Sequence, residues 1–288
     1  MEPTRKDIAD LFSVEIDSEP EIEESPRRTK GDNAEESVEL GSQSLTEGDF
    51  EKAIEHFRRA VEQRDPNDVQ GRVDLAGAYE FAEMAPEALR QYEIALRVRR
   101  DQPEPLLGLS QVYKRYARYK DSVRQLEEAL ALEPRNAFYQ FKLAEILREI
   151  GDKEAALTAA RMAVSLAPVD PFYHYWVGDL LIDLRQYDEA LEALRAALEL
   201  SPGDDYLYLR TASAFWGAGR QQEAVKAIRL ASDLDPDKHL YHGILELLQT
   251  EMGLKEEASQ EKERASKMDD YDREALRRFA LEIGVQAE

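Results

Sequence analysis

The chain contains no cysteine, which excludes disulfide scaffolds, thiolate metal sites and cysteine nucleophiles. Histidine is scarce as well: four residues in 288 leave little for metal ligation or acid–base work. Positive charge is in short supply, with 38 Lys and Arg against 60 Asp and Glu and a net charge of −22. Nucleic-acid binding draws most of its affinity from neutralised phosphates, so a general DNA or RNA binder is not expected. No apolar run approaches the roughly 20 residues needed to cross a bilayer. The opening segment MEPTRKDIADLF has neither an uninterrupted apolar stretch nor a small-residue cleavage site. A soluble, cytoplasmic protein without cofactor or metal is expected. What is abundant is the mixture that amphipathic helices need, 43% hydrophobic and 34% charged residues.

Small residues recur with a fixed period. Ala53, Ala88, Ser122, Ala156, Ala190, Ala224 and Ala258 are spaced by 35 and then by 34 residues each time. Ala60, Ala95, Ala129, Ala163, Ala197, Ala231 and Ala265 keep the same step, as do Gly41, Ala76, Ser110, Ala144, Gly178 and Ala212 until Glu246 breaks the series. Such a period is the mark of a stacked supersecondary unit. Large residues fall at helical spacing within each unit, as Val177 and Leu181, then Leu191, Leu194 and Leu198, do in the fifth. Each unit is therefore predicted to be a pair of antiparallel helices whose backbones approach where the small residues lie. Pro66, Pro103, Pro134, Pro168, Pro202 and Pro236 punctuate the unit ends, where a missing N–H and a fixed φ suit one helix stopping and another starting. Gly48, Gly151, Gly219 and Gly253 fall at the turn inside a unit, where positive φ is needed.

On these residues the chain resembles the tetratricopeptide repeat (TPR) family. The fifth unit carries the family's pattern at Gly178, Tyr187, Ala190, Leu194, Ala197 and Pro202, and departs from it at His174, where the family often has Trp. The resemblance implies an all-α, right-handed α-solenoid of about seven helix-turn-helix units with a C-terminal capping helix. The expected units are 34–68, 69–102, 103–136, 137–170, 171–204, 205–238 and a degenerate 239–270. Residues 271–288 hold the cap and tail, with Leu276, Phe279, Ala280 and Ile283 on one face. Residues 1–33 are acidic, poor in aromatics and expected to be disordered; residues 1–37 hold 12 acids and 5 bases.

The resemblance also implies that the first helices line a concave groove for a partner. The family's groove positions fall here on Phe138, Phe141, Lys142, Glu145 and Arg148 of the fourth unit. They fall on Phe172, Tyr175, Trp176 and Asp179 of the fifth, and on Tyr206, Leu209, Arg210 and Trp216 of the sixth. Aromatics and arginine supply most interface hot spots, and this set suits a peptide with apolar anchors and at least one carboxylate. The Lys and Asn set with which some TPR co-chaperones hold chaperone tails is missing, because Asn33, Asn67 and Asn136 lie in or beside turns.

Other features compete for attention. Arg97, Arg99, Arg100, Lys114, Arg115, Arg118 and Lys120 form a basic stretch interleaved with Tyr113, Tyr116 and Tyr119; an acidic protein segment, such as the chain's own tail, fits it better than RNA. In that tail Ile8, Leu11, Phe12 and Ile16 make one stripe of a short helix over residues 5–17. The stripe suits helix-in-groove docking and equally an apolar cluster in a leader with no partner. His239, His242 and Glu246 share a helix face, a spacing open to metal ligation but more simply read as packing. No nucleophile and base are paired, so an enzyme is not expected. The sequence thus reads as a non-catalytic scaffold or adaptor that binds a peptide or helix of another protein, in the manner of an assembly factor or escort. Self-association through tail or cap is the second reading, and a regulatory subunit of an enzyme complex the third.

Overall fold

The computed structural model describes residues 34–64 and 68–285, and among them are fifteen α-helices and no strand. The tail stripe Ile8, Leu11, Phe12 and Ile16, and Pro66, lie outside the described residues. The chain divides into two compact units, residues 1–135 and 136–288. The first holds α1 (Ala34–Thr46), α2 (Phe50–Gln63), α3 (Val69–Phe81), α4 (Ala85–Val98), α5 (Pro103–Arg115) and α6 (Tyr119–Leu132). The second holds α7 (Ala137–Ile150), α8 (Lys153–Leu166), α9 (Pro171–Asp183), α10 (Tyr187–Leu200), α11 (Asp205–Gly217), α12 (Gln221–Leu234), α13 (His239–Glu251), α14 (Lys255–Ala265) and α15 (Asp270–Ile283).

Consecutive helices pack as pairs, α1 with α2 through α13 with α14, and first helices of neighbouring pairs touch, α3 with α5 and α9 with α11. The reason lies in the small residues, since all three periodic series are buried. At Gly178 a β-carbon would stand 2.7 Å from Leu194 Cγ, so only glycine lets α10 lay that leucine across α9. Leu194 is wholly buried, a contribution of about 1.5–3 kcal/mol. The third pair replaces alanine with Ser110 and Ser122. Their hydroxyls lie 3.0 Å apart, and Ser122 also donates to the Ser110 carbonyl at 2.7 Å, so these buried polar groups satisfy one another.

The turn within each pair follows one design. One of its residues has positive φ, and the next N–H bonds back to a carbonyl five residues earlier, as Asp152 does to Leu147 at 3.0 Å. Glycine fills the left-handed position at Gly48, Gly151, Gly219 and Gly253, but Glu83, Ala117 and Arg185 fill it in the other three pairs, at φ of 60, 56 and 58°. A β-carbon is strained there by about 1–2 kcal/mol, part of which the greater chain entropy of glycine offsets. Each of Glu83→Gly, Ala117→Gly and Arg185→Gly is therefore expected to add about 0.5–1 kcal/mol of stability. The gains should be additive in urea denaturation, because the sites share no partners.

Candidate functional site

Three first helices of the second unit, α7, α9 and α11, begin alike. Asn136 accepts from the Tyr139 N–H at 3.1 Å, Asp170 from Phe172 at 3.0 Å, and Asp204 from Tyr206 at 3.0 Å. These caps satisfy donors that a helix start leaves orphaned. They also fix the backbone of the second helical residue, which is Phe138, Phe172 and Tyr206 in turn. The three rings are thus presented 34 residues apart, and they are 43, 44 and 44% exposed. Rings of this size left open in register have no core to serve.

Beneath them lies an aromatic floor. Phe141 is edge-on to Phe172 at 4.8 Å and to Trp176 at 4.9 Å, and Tyr175 is edge-on to Tyr206 at 5.7 Å. Trp176 and Tyr175 are half-buried. Burial, with Asp179 and Tyr206 nearby, raises the Tyr175 phenol above its ordinary range and keeps it neutral. Phe141 itself is 6% exposed, so the expectation that it would meet a partner is corrected: its contacts are with Phe172, Tyr173 and Trp176.

The charged groove residues form a ladder. Arg148 bonds Asp179 at 2.7 Å and Asp183 at 2.8 Å, and Arg210 bonds Asp179 at 2.6 Å and Glu282 at 2.7 Å. Burial opposes charge on Arg210, but Asp179 and Glu282 outweigh it and raise the guanidinium above its ordinary value. Lys142 reaches Glu145 at 3.1 Å and sits over the Phe138 and Phe141 rings at 5.4 and 5.2 Å. Every cation of the expected groove set is thus matched by the protein's own carboxylates.

Asp179, Leu209 and Arg210 are buried, again contrary to their expected role as open contact surface. The cause for Leu209 and Arg210 is α15. It was expected to cover the last pair, but it also crosses to the first helices, touching α13 and α11. Phe279 joins the cluster that holds Leu209, Leu240 and Ile244, with Trp216 half-buried at its side. Sequence reasoning missed Gly243, Asp183 and Glu282. A signal existed for Gly243: it continues the spacing of Phe141, Tyr175 and Leu209 with no side chain at all.

Two of the histidines have hydrogen-bond partners within the fold. His242 Nδ1 lies 2.7 Å from Glu261, the His239 and His242 rings are 6.5 Å apart, and His174 bonds the Pro168 carbonyl at 2.8 Å. Among the described residues no cluster of His, Asp and Glu could hold a metal ion, and no helix is long and apolar enough to cross a membrane.

In the first unit the basic stretch is not one patch. Arg97, Arg99 and Arg100 lie at the end of α4, beside the start of α5, whereas Lys114, Arg115, Arg118 and Lys120 lie at the far end of α5, about 20 Å away at 1.5 Å per residue. Arg118 bonds Asp121 at 2.7 Å and lies over the Tyr113 ring at 4.5 Å, and Arg115 donates to the Glu80 carbonyl at 2.9 Å. Glu80 also accepts from the Tyr92 hydroxyl at 2.5 Å. Burial pushes the Glu80 carboxyl above its usual value, with Tyr92 and Arg115 opposing the rise. A folded pKa above the unfolded 4.5 means that the group's contribution is fully present below that pH and lost as pH rises through the folded value. Glu80→Gln is therefore expected to melt above the parent at pH 7 and to converge with it near pH 4, which paired thermal scans would show.

The sequence matches the family model "Tetratricopeptide repeat" over residues 39–105, 107–171 and 178–239. No curated protein matches. Among solved structures, YrrB, described as a TPR protein with an unusual peptide-binding site, is 23% identical. That match covers 63% of this chain and 93% of YrrB, with a TM-score of 0.52. TTC0263, a thermophilic TPR protein of Thermus thermophilus, is 22% identical over 64% of this chain and 99% of its own (TM-score 0.51). Pseudomonas aeruginosa pilF is 19% identical over 70 and 92% (TM-score 0.58). At these identities the likeness is one of fold.

Proposed function

Because the chain belongs to the tetratricopeptide repeat family, we propose that it is a non-catalytic scaffold holding a segment of a partner protein across the first turns of α7, α9 and α11. The observation that carries this reading is the stripe of Phe138, Phe172 and Tyr206, open to water at one-repeat intervals and pinned by the caps before them. Rings set this way offer large contact area with little side-chain entropy to lose. The bound segment is apolar at its anchors and carries no obligatory charge, since Lys142, Arg148 and Arg210 are already paired. YrrB, of the same fold, is described as having a peptide-binding site, which agrees with a groove reading here.

The test is capture of partners from the source cell by the full chain and by Phe172→Ala/Tyr206→Ala. Each truncated hot-spot ring costs about 2 kcal/mol or more, so the double variant is expected to lose its partner by roughly 900-fold or more. Both rings are nearly half exposed, so its thermal midpoint should stay close to that of the parent. Undiminished capture by a folded double variant would remove the stripe from the binding surface.

A further inference from the structure

We propose that the face of α11 and α13 under α15 is a receptor for an amphipathic helix, and that α15 is an occupant exchangeable with a partner's helix. The helix this face takes presents an aromatic residue followed three positions later by a carboxylate, as Phe279 and Glu282 do.

The receptor is cut to fit. A β-carbon at Gly243 would lie 2.7 Å from Met268 Sδ and 3.2 Å from Leu276 Cδ2, so α13 gives up a side chain where the helix crosses. Phe279 is the apolar anchor, buried in the cluster of Leu209, Leu240 and Ile244. Arg210 is the polar anchor, 2.7 Å from Glu282. It does not depend on that partner for its position, because Asp179 holds it at 2.6 Å. Its Nε has no hydrogen-bond partner, so the site is preformed and retains an unused donor.

The occupant is lightly held. Of the fourteen residues of α15 only Phe279 and Ala280 are buried, whereas α13 buries eight. Tyr271 and Leu281 face outward, 74 and 82% exposed, and the helix hangs on the short connection 266–269. Elements with few buried apolar contacts open at the low end of a protein's stability. A tether this short gives an effective concentration of about millimolar, so a helix in trans must outcompete it or meet it already released.

The test uses the full chain and a fluorescein-labelled peptide of residues 266–285. In Phe279→Asp the chain's own helix loses its anchor, and anisotropy should show the peptide binding at least tenfold more tightly than to the unaltered chain. A peptide carrying Glu282→Ala should bind that variant about tenfold more weakly, a loss that disruption of the chain cannot produce because the chain is unchanged. Equal binding to the unaltered and Phe279→Asp chains would overturn the proposal. So would loss of cooperative unfolding in Phe279→Asp, because α15 would then be part of the core. Hydrogen exchange on the unaltered chain gives a second reading: α15 amides should exchange at least tenfold faster than those of α13, and equal protection would also overturn it. The proposal goes beyond the stripe of α7, α9 and α11. Its peptide test reads Phe279 and Glu282 and no stripe residue, so failure of one leaves the other standing.

Discussion

Asp179→Ala is expected to cost the second unit about 3–5 kcal/mol, far more than any change on the exposed stripe. The carboxylate is 4% exposed and accepts from Arg148 at 2.7 Å and Arg210 at 2.6 Å. Removing it leaves Arg210, itself buried, with Glu282 alone, and leaves Arg148 with Asp183. The loss is chiefly that of two charge-assisted hydrogen bonds, about 1.5–3 kcal/mol each, since each arginine keeps a second carboxylate. For a body of this size a loss of 1 kcal/mol lowers the midpoint by roughly 2–4 °C, so thermal scans should show a fall of about 6–20 °C. Asp179→Asn, which keeps the shape but loses the charge, should fall nearly as far. If the alanine variant melts with the parent, the ladder is a solvated surface feature and contributes nothing to the fold.

The ladder also shows what a sequence can and cannot disclose. Phe138, Phe172 and Tyr206 could be placed on one face from their spacing alone, because a strict repeat converts position in the chain into position on a surface. The buried alanines were legible for the same reason. So was the left-handed turn position, although Glu83, Ala117 and Arg185 carry no local sign of it and are recognised only by their step from Gly48 and Gly151. What the period could not give is anything that leaves it. The apolar stripe Leu276, Phe279, Ala280 and Ile283 announces an amphipathic helix, but not that this helix crosses α13 to reach Arg210. That path depends on a pairing 72 residues apart in the chain, on the burial of Phe279 beside Leu209 and on the missing side chain at Gly243. The burial of Leu209 and Arg210 follows from it. The basic stretch misled for a different reason: residues adjacent in sequence were counted together although the whole length of α5 separates the two ends.

One substitution made at two sites should have opposite effects. Gly77 and Gly108 both lie inside helices, α3 and α5. At Gly77 a β-carbon meets nothing within 4 Å, so Gly77→Ala is expected to gain the helix-propensity difference, about 1 kcal/mol. At Gly108 the β-carbon would stand 2.1 Å from Tyr92 Cζ, closer than any atoms can approach without bonding. The ring cannot step aside freely, since Tyr92 is 4% exposed and its hydroxyl is tied to Glu80. Gly108→Ala is therefore expected to cost about 1–3 kcal/mol despite its better propensity. The cause can be isolated by a double-mutant cycle. Tyr92→Ala alone should cost about 3–5 kcal/mol through the cavity it leaves, and in that background Gly108→Ala should turn from a loss into a gain of about 1 kcal/mol. A coupling of about 2–4 kcal/mol between the two sites follows, readable from urea midpoints at unchanged slope. Tyr92→Phe should not relieve Gly108→Ala fully, because it frees the hydroxyl but leaves the ring in the path. Were the cycle additive instead, the approach of α5 to α4 at Gly108 would have to be set by backbone geometry, and the glycine would owe nothing to the tyrosine it faces.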